Sequence, residues 1–99
     1  MSRRDFCTFN PKENTFNTER YTCHSIEEAN QMISGASAAY HLLADKTNRE
    51  IHDLLLLIKQ NLISIKEDVA SMYCKESGLT RERFESEFGR TIFQLELFS

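Results

Sequence analysis

Apolar residues repeat at helical spacing through most of the chain. Seven of them follow intervals of four and three between residues 51 and 72: Ile51, Leu55, Ile58, Leu62, Ile65, Val69 and Met72. This is the heptad period of packed, coiled-coil-like helices. It predicts one long helix over residues 48–75, about 42 Å in length. Because further leucines widen its apolar face, we expect this helix at the centre of a bundle or in an oligomer interface.

A shorter helix is predicted over residues 25–44. It opens with a capping box in which Ser25 and Glu28 satisfy each other's backbone N–H groups. Six residues then share one face at intervals of three and four: Ile26, Ala29, Ile33, Ala36, Tyr40 and Leu43. The middle of this helix consists of small residues, which favour close packing of helices. A second capping box, Thr47 with Glu50, predicts that the long helix begins near Asn48.

A third helix is predicted over residues 80–97. Gly78 suits the left-handed end of the long helix, and Thr80 suits the cap of the next one. One face of this helix is apolar: Phe84, Phe88, Ile92, Leu95 and Phe98. Residues 92–98 also alternate in polarity as a strand does, so helix and strand both remain open there. As a strand, this tail would pair with the N-terminal segment.

Residues 1–24 form an N-terminal arm of different character. A turn-prone run at residues 10–14 separates two strand-like segments, 6–9 and 15–22. Both a β-hairpin and an irregular extended arm fit this pattern. Because a lone two-stranded hairpin is marginal in water, its phenylalanines are expected to lean on the rest of the protein or on a partner.

These elements predict an all-α fold, either a helical hairpin or a three-helix bundle, with a long central helix and an irregular or β-hairpin arm. We expect a single helical domain over residues 1–99, made of the arm at 1–24 and a helical core at 25–99. The long helix outreaches its neighbour by roughly 12 Å. Its far end therefore needs the third helix, the arm or a second subunit to cover it.

Charge and hydropathy narrow the possible partners. Among 99 residues, 15 are acidic and 12 basic, a formal charge of -3, and the arm carries only +1 despite its arginines and aromatic residues. Nucleic acid and anionic membranes are therefore disfavoured as partners. No apolar run approaches the roughly 20 residues that span a bilayer, and no apolar secretion-signal segment follows Arg3 and Arg4. We expect a cytoplasmic location.

The chain shows no motif that predicts catalysis or cofactor binding. Three cysteines without CxxC spacing fit a reducing compartment, although a bridge between Cys7 and Cys23 across a hairpin remains open. His41 and His52 come close in a helical hairpin but have no third ligand or nucleophile beside them. We therefore expect no catalytic residues, no metal and no cofactor.

The surplus of apolar helix surface predicts a small non-enzymatic interaction protein, of the adaptor, chaperone or inhibitor type, that forms a homo-oligomer and binds another protein. The candidate interface residues are Ile65, Val69, Met72, Tyr73, Phe84 and Phe88. The candidate contact residues of the arm are Arg3, Arg4, Phe6, Phe9 and Phe16.

Two alternative functions remain open. The first is a helical module that binds a small anionic ligand at a subunit interface, near residues 35–39 with Tyr40, His41 and Arg49, or at a helix N-terminus. The second, less favoured, is a nucleic-acid-binding regulator.

Overall fold

The structure, a computed structural model, describes residues 4–99 and is mostly helical there. The described chain contains four strands and four helices: β1 Asp5–Phe6, β2 Phe9–Asn10, β3 Thr15–Phe16, β4 Tyr21–Thr22, α1 Ile26–Ala44, α2 Asn48–Ser64, α3 Lys66–Ser77 and α4 Arg81–Phe98. The mainly helical character predicted from the apolar spacing is confirmed, and the strands all belong to the arm.

The predicted helix starts are confirmed by their hydrogen bonds. The Ser25 hydroxyl accepts from the Glu28 N–H and the Glu28 carboxylate accepts from the Ser25 N–H, both at 3.1 Å. The Thr47 and Glu50 pair does the same for α2 at 3.1 and 2.8 Å. Thr80 caps α4. Because caps are set by residues three apart, the sequence alone locates them.

The prediction of one long central helix over 48–75 is wrong in one respect, because the helix is interrupted at Ile65. This residue has φ -107° and ψ 15° and separates α2 from α3. The Ser64 hydroxyl donates to the Asn61 carbonyl at 2.7 Å, and the Ile65 N–H shares that same oxygen at 3.3 Å. Serine back-bonding of this kind competes with the helical ladder and bends helices. The apolar repeat runs through residue 65 unbroken and gives no sign of the bend.

The break lets α2 and α3 contact different parts of α4. Lys59 reaches Glu96 at 2.6 Å, and Lys66, at the start of α3, reaches Glu85 at 2.7 Å. Residue numbers rise from Lys59 to Lys66 while those of their partners fall from Glu96 to Glu85, so the segment 59–66 runs antiparallel to α4. The contacts of α3 stay on the first half of α4, which α3 crosses. Helix α4 is thus the one that contacts both α2 and α3.

The core lies where α3 crosses α4. Ala70 and Phe84 are each only 2% exposed, and no other apolar residue of the described chain is as deeply buried. The Phe84 ring lies 5.4 Å from Tyr73 and 5.3 Å from Phe88, centroid to centroid. The Arg81 guanidinium lies over its face at 5.4 Å. The interior is therefore a small aromatic cluster, since two buried residues make a very small core for a domain of this length.

The apolar face predicted for α4 is confirmed up to Leu95, while Phe98 at its end is 70% exposed. The question left open for residues 92–98 is answered, because α4 continues as a helix to Phe98. The tail therefore does not pair with the arm.

The arm is a β-hairpin interrupted by a bulge. In the outer ladder Phe6 lies opposite Tyr21, and in the inner ladder Phe9 lies opposite Phe16. Between the two ladders the returning strand has two more residues than the outgoing one, which shifts the register and splits the hairpin. Of the alternatives open from the sequence, the hairpin is the one observed.

The cysteines in the described chain are free thiols. In the outer ladder the Cys23 N–H donates to the Arg4 carbonyl at 2.7 Å, so Arg4 is the residue opposite Cys23. Cys7 lies three residues further along its strand. The register therefore does not place Cys7 and Cys23 face to face, as a bridge across the hairpin requires.

The bulge docks the arm on the end of α3. The Asn17 side-chain amide donates to the Lys75 carbonyl at 3.1 Å and to Thr8 Oγ1 at 2.9 Å. The Lys75 ammonium also donates to the Glu19 carboxylate, and this hydrogen bond is the main cause of the lowered pKa of Glu19. The arm thus leans on the helical core, as its marginal stability requires.

Helix α1 stands apart from this assembly. Every residue in it except Glu28 is exposed, and within residues 4–99 no other helix or strand packs along it. The radius of gyration is 17.5 Å, against about 13 Å for a compact chain of 100 residues. The extents of 48 × 42 × 16 Å describe a flat, open molecule.

Candidate interaction surfaces

The most extensive unpartnered surface is the apolar face of α1. We define the α1 seam as the residues that recur there at intervals of three and four: Ile26, Ala29, Ile33, Ala36, Tyr40 and Leu43. Ile26 is 73% exposed, Ile33 67% and Tyr40 66%. Between Ala29 and Tyr40 the helix carries no charged residue at all. A long uncharged stretch with one apolar face is typical of a helix that packs against another element.

The whole chain exposes more surface than a compact monomer of its mass. The accessible area is 8067 Å². A compact monomer of 11.5 kDa is expected to expose about 5,800 Å². The excess of about 2,300 Å² is larger than the roughly 800 Å² that each partner contributes to a standard interface. The molecule therefore has room for at least one extensive contact.

Four of the six predicted interface residues belong to the kinked helix pair, and two of them, Val69 and Tyr73, also face Phe84 and Phe88 of α4. Ile65 is exposed at the bend, while Val69, Met72 and Tyr73 are half-buried. The last three line a shallow depression of about 450 Å³ on α3, which is flanked by Asp68 and Glu76.

The other two predicted interface residues belong to the interior. Phe84 is buried and Phe88 half-buried against it, at the contact between α3 and α4. An apolar helix face shows which residues need cover but does not show what covers them. Here α3 covers Phe84 and Phe88, and the proposed interface no longer includes these two phenylalanines.

Tyr73 is tied to α4 by a polar contact at the edge of this cluster. Its hydroxyl donates to Glu87 Oε2 at 2.8 Å, and Arg83 Nε donates to Glu87 Oε1 at 3.1 Å. Burial, and then the bond to Glu87, raise the pKa of Tyr73, while its hydroxyl and the Arg83 guanidinium lower the pKa of Glu87. The contact holds α3 to α4 and leaves Met72 beside it on the outer surface.

The predicted contact residues of the arm cover one another in part. Phe9 and Phe16 stack edge to face across the inner ladder at 5.2 Å. Phe6 lies against Tyr21 across the outer ladder at 5.6 Å. Phe16 is still 71% exposed, the highest value among the arm's phenylalanines. Arg4 is exposed, whereas Arg3 lies outside the described residues.

A cleft of about 670 Å³ separates the tip of the hairpin from the start of α4. Two of its cations already hold carboxylates of this chain. Lys75 is bound to Glu19, and Arg81 bridges Glu67 at 2.8 Å and Glu85 at 2.9 Å. The Arg81 guanidinium is the main cause of the lowered pKa of Glu67. These internal pairs disfavour the cleft as a site for an anionic ligand.

The helix N-termini considered as anion sites are occupied by the chain itself. The carboxylates of Glu28 and Glu50 accept from the N–H groups of the capping residues Ser25 and Thr47, whose hydroxyls in turn accept from an N–H group in the first turn of each helix. The bond to the Thr47 N–H is the main cause of the lowered pKa of Glu50. The nearby Arg49 pairs with Asp53 at 3.6 Å. These contacts weaken the case for a small anionic ligand at either position.

Two further properties bear on the kind of site. Among the described residues no three histidine, cysteine or acidic side chains are grouped so that they could hold a metal ion. Over the same residues, 4–99, no helix is both long enough and apolar enough to cross a membrane.

Comparison with known proteins adds no relative: no protein family, curated protein or solved structure matches the chain.

Proposed function

We propose that this chain is a non-enzymatic interaction protein, of the adaptor, chaperone or inhibitor type, that acts through protein–protein contacts as a homo-oligomer. The single observation that carries this proposal is the α1 seam, a long apolar helix face that nothing in the described chain covers. A 19-residue helix gains most of its stability in water from packing of such a face. A partner is therefore part of the functional molecule.

Two other surfaces support a second protein as partner. The depression on α3 around Met72 has apolar walls and an acidic rim formed by Asp68 and Glu76. The exposed ring of Phe16 sits on a hairpin that is anchored to the core through Asn17 and Lys75. Exposed aromatic side chains and apolar depressions are both typical of protein interfaces. We assign self-association to α1 and partner binding to the arm and α3.

The free thiols of Cys7, Cys23 and Cys74 support a reducing compartment, and we place the protein in the cytoplasm.

Native mass spectrometry of the chain purified from its own cells tests the proposal. We expect an assembly of fixed stoichiometry with at least two copies of this 11.5 kDa chain and a second protein. Phe16→Ser should release the second protein, while the matched control Thr18→Ser, on the same hairpin, should retain it. A single chain without any companion at every concentration would contradict the proposal.

A further inference from the structure

We infer that the α1 seam binds the same seam of a second copy of this chain, with the two helices antiparallel. This inference rests on the proposed function and names the partner of its largest surface.

The order of large and small residues along the seam fits an antiparallel pair. A two-fold axis between Ser34 and Gly35 makes every seam residue meet another seam residue of the second copy. The matched pairs, from the centre outward, are Ile33 with Ala36, Ala29 with Tyr40, and Ile26 with Leu43. Side-chain volume is smallest in the central pair and largest in the outer one. Two helices that cross at a small angle are closest at the centre and need this gradation.

A parallel pair fits the same residues poorly. Each seam residue would then meet its own counterpart, so Ala29 and Ala36 would form layers of two alanines. These thin layers would alternate with thick layers of two isoleucines or two tyrosines at Ile33 and Tyr40. Since helix axes do not move apart and together over one turn, the alanine layers would leave voids, which destabilise an interface.

The charges at the ends of α1 favour the same direction. Glu27 and Glu28 lie in the first turn, whereas the charges of Asp45 and Lys46, just beyond the last turn, cancel each other. In the antiparallel pair the two acidic first turns lie at opposite ends, and the helix dipoles oppose each other. In a parallel pair the glutamates of both copies would meet at one end.

No charge has to be buried when the seam is covered. The positions that flank it on both sides are polar but uncharged, or small or apolar: Ser25, Asn30, Met32, Ser37, Ala39 and Ala44. The whole chain, of which the α1 seam is one part, exposes an excess of about 2,300 Å², whereas each copy must bury roughly 800 Å² in a stable dimer. Area and chemistry therefore both allow a second copy here.

Sedimentation equilibrium of the full-length chain tests the choice of surface. Ile33→Glu places a charge in the central pair, while the matched control Gln31→Glu adds the same charge on the opposite face of α1. We expect the wild type and Gln31→Glu to dimerise alike, and Ile33→Glu to weaken the dimer by about 100-fold or more. If Ile33→Glu associates as well as Gln31→Glu, the inference is overturned although the homo-oligomer stands. If the wild type is monomeric at every concentration, both the inference and the homo-oligomer of the proposed function fail. Binding of a second protein is then tested separately by native mass spectrometry.

Disulfide mapping tests the direction. Full-length Ile26→Cys and Leu43→Cys chains, one of them isotopically labelled, are mixed and oxidised, and the linked peptides are identified by mass spectrometry. The antiparallel pair predicts links between position 26 of one chain and position 43 of the other. Links that join 26 to 26 or 43 to 43 instead would overturn the antiparallel arrangement. Gln31→Cys, on the opposite face, serves as the control and should form no such link.

Discussion

Gly78 lies directly against Pro11, so that a Cβ atom on Gly78 would come within 2.7 Å of Pro11 Cγ and 2.9 Å of the Lys12 nitrogen. Gly78 ends α3 in the left-handed conformation, with φ 72°. The close approach brings the tip of the hairpin onto the turn between α3 and α4. A single glycine therefore both ends α3 and provides the space in which the tip of the arm packs. This contact adds to those that Asn17 and Glu19 make with Lys75.

Gly78→Ala should lower the free energy of unfolding by about 1–3 kcal/mol and displace the hairpin. The new methyl group has no space beside Pro11, and the left-handed backbone is strained for alanine. Urea denaturation measures the loss. Gly89→Ala is the matched control: nothing lies within 4 Å of its Cβ position, so it should stabilise α4 by about 0.5–1 kcal/mol. An equal effect of both substitutions would show that the arm does not dock at Gly78.

Phe84→Ala should remove most of the stability of the helical core, at a cost of about 3–5 kcal/mol. Phe84 is 2% exposed and contacts Tyr73 and Phe88 in the only deeply buried cluster of the described chain. Circular dichroism during urea denaturation measures the change. Phe93→Ala, in the same helix but exposed, should cost less than about 1 kcal/mol. Similar losses for the two variants would contradict the assignment of the core.

Acid should destabilise the fold. Five glutamates have pKa values below the ordinary 4.5. Glu50 accepts from the Thr47 N–H, and the other four accept from Lys75, Arg81, Lys66 and Tyr73 in turn: Glu19, Glu67, Glu85 and Glu87. For a lowered pKa, the stabilisation is complete above the unfolded value and is lost as the pH falls through the folded value. The urea midpoint should thus be flat from about pH 7 to 5.5 and fall below about pH 4.5.

A matched pair of variants tests the assignment of this acid effect. Glu67→Gln removes one carboxylate that is paired with Arg81, so the fall in the urea midpoint should be less steep than in the wild type. Glu82 is an exposed neighbour of Arg81 in the chain, and Glu82→Gln should leave the fall of the urea midpoint with pH unchanged. A midpoint that does not change between neutral and acid pH would contradict the ion-pair account.

Loss of the α1 cap should act on α1 alone. Ser25→Ala removes a hydroxyl that accepts from the Glu28 N–H, at a cost of about 1 kcal/mol to the helix. Because α1 does not pack on the core, the amide protons of α1 should exchange faster while the urea midpoint of the remainder stays constant. Thr47→Ala, the corresponding change in α2, should lower that midpoint, since α2 packs on α4. A common response to both variants would show that α1 and the core unfold together.

Local features were predictable from the sequence, and features that depend on several elements were not. The caps at Ser25, Thr47 and Thr80 depend on residues three positions apart and lie where the sequence predicts them. The break at Ile65 was missed because the apolar repeat is continuous there. Its one local signal was Ser64, whose hydroxyl returns to the Asn61 carbonyl.

It was harder to predict which element packs against each apolar face. The sequence shows that Phe84 and Ile33 both lie on apolar faces, yet α3 covers Phe84 and nothing in the described chain covers Ile33. Which face meets which depends on the bend at Ile65 and on the docking of the arm. The surplus apolar surface was expected on the long helix, whereas the largest unpartnered face is on α1. The uncharged stretch from Ala29 to Tyr40 was the signal that points there.

Amide hydrogen exchange at several protein concentrations tests the central claim, that another copy of the chain covers the α1 seam. Dilution shifts the association equilibrium without changing the sequence. We predict that the amide protons of α1 become less protected on dilution, while those at the crossing of α3 and α4 change far less. Protection of α1 that is the same at all concentrations would contradict the claim.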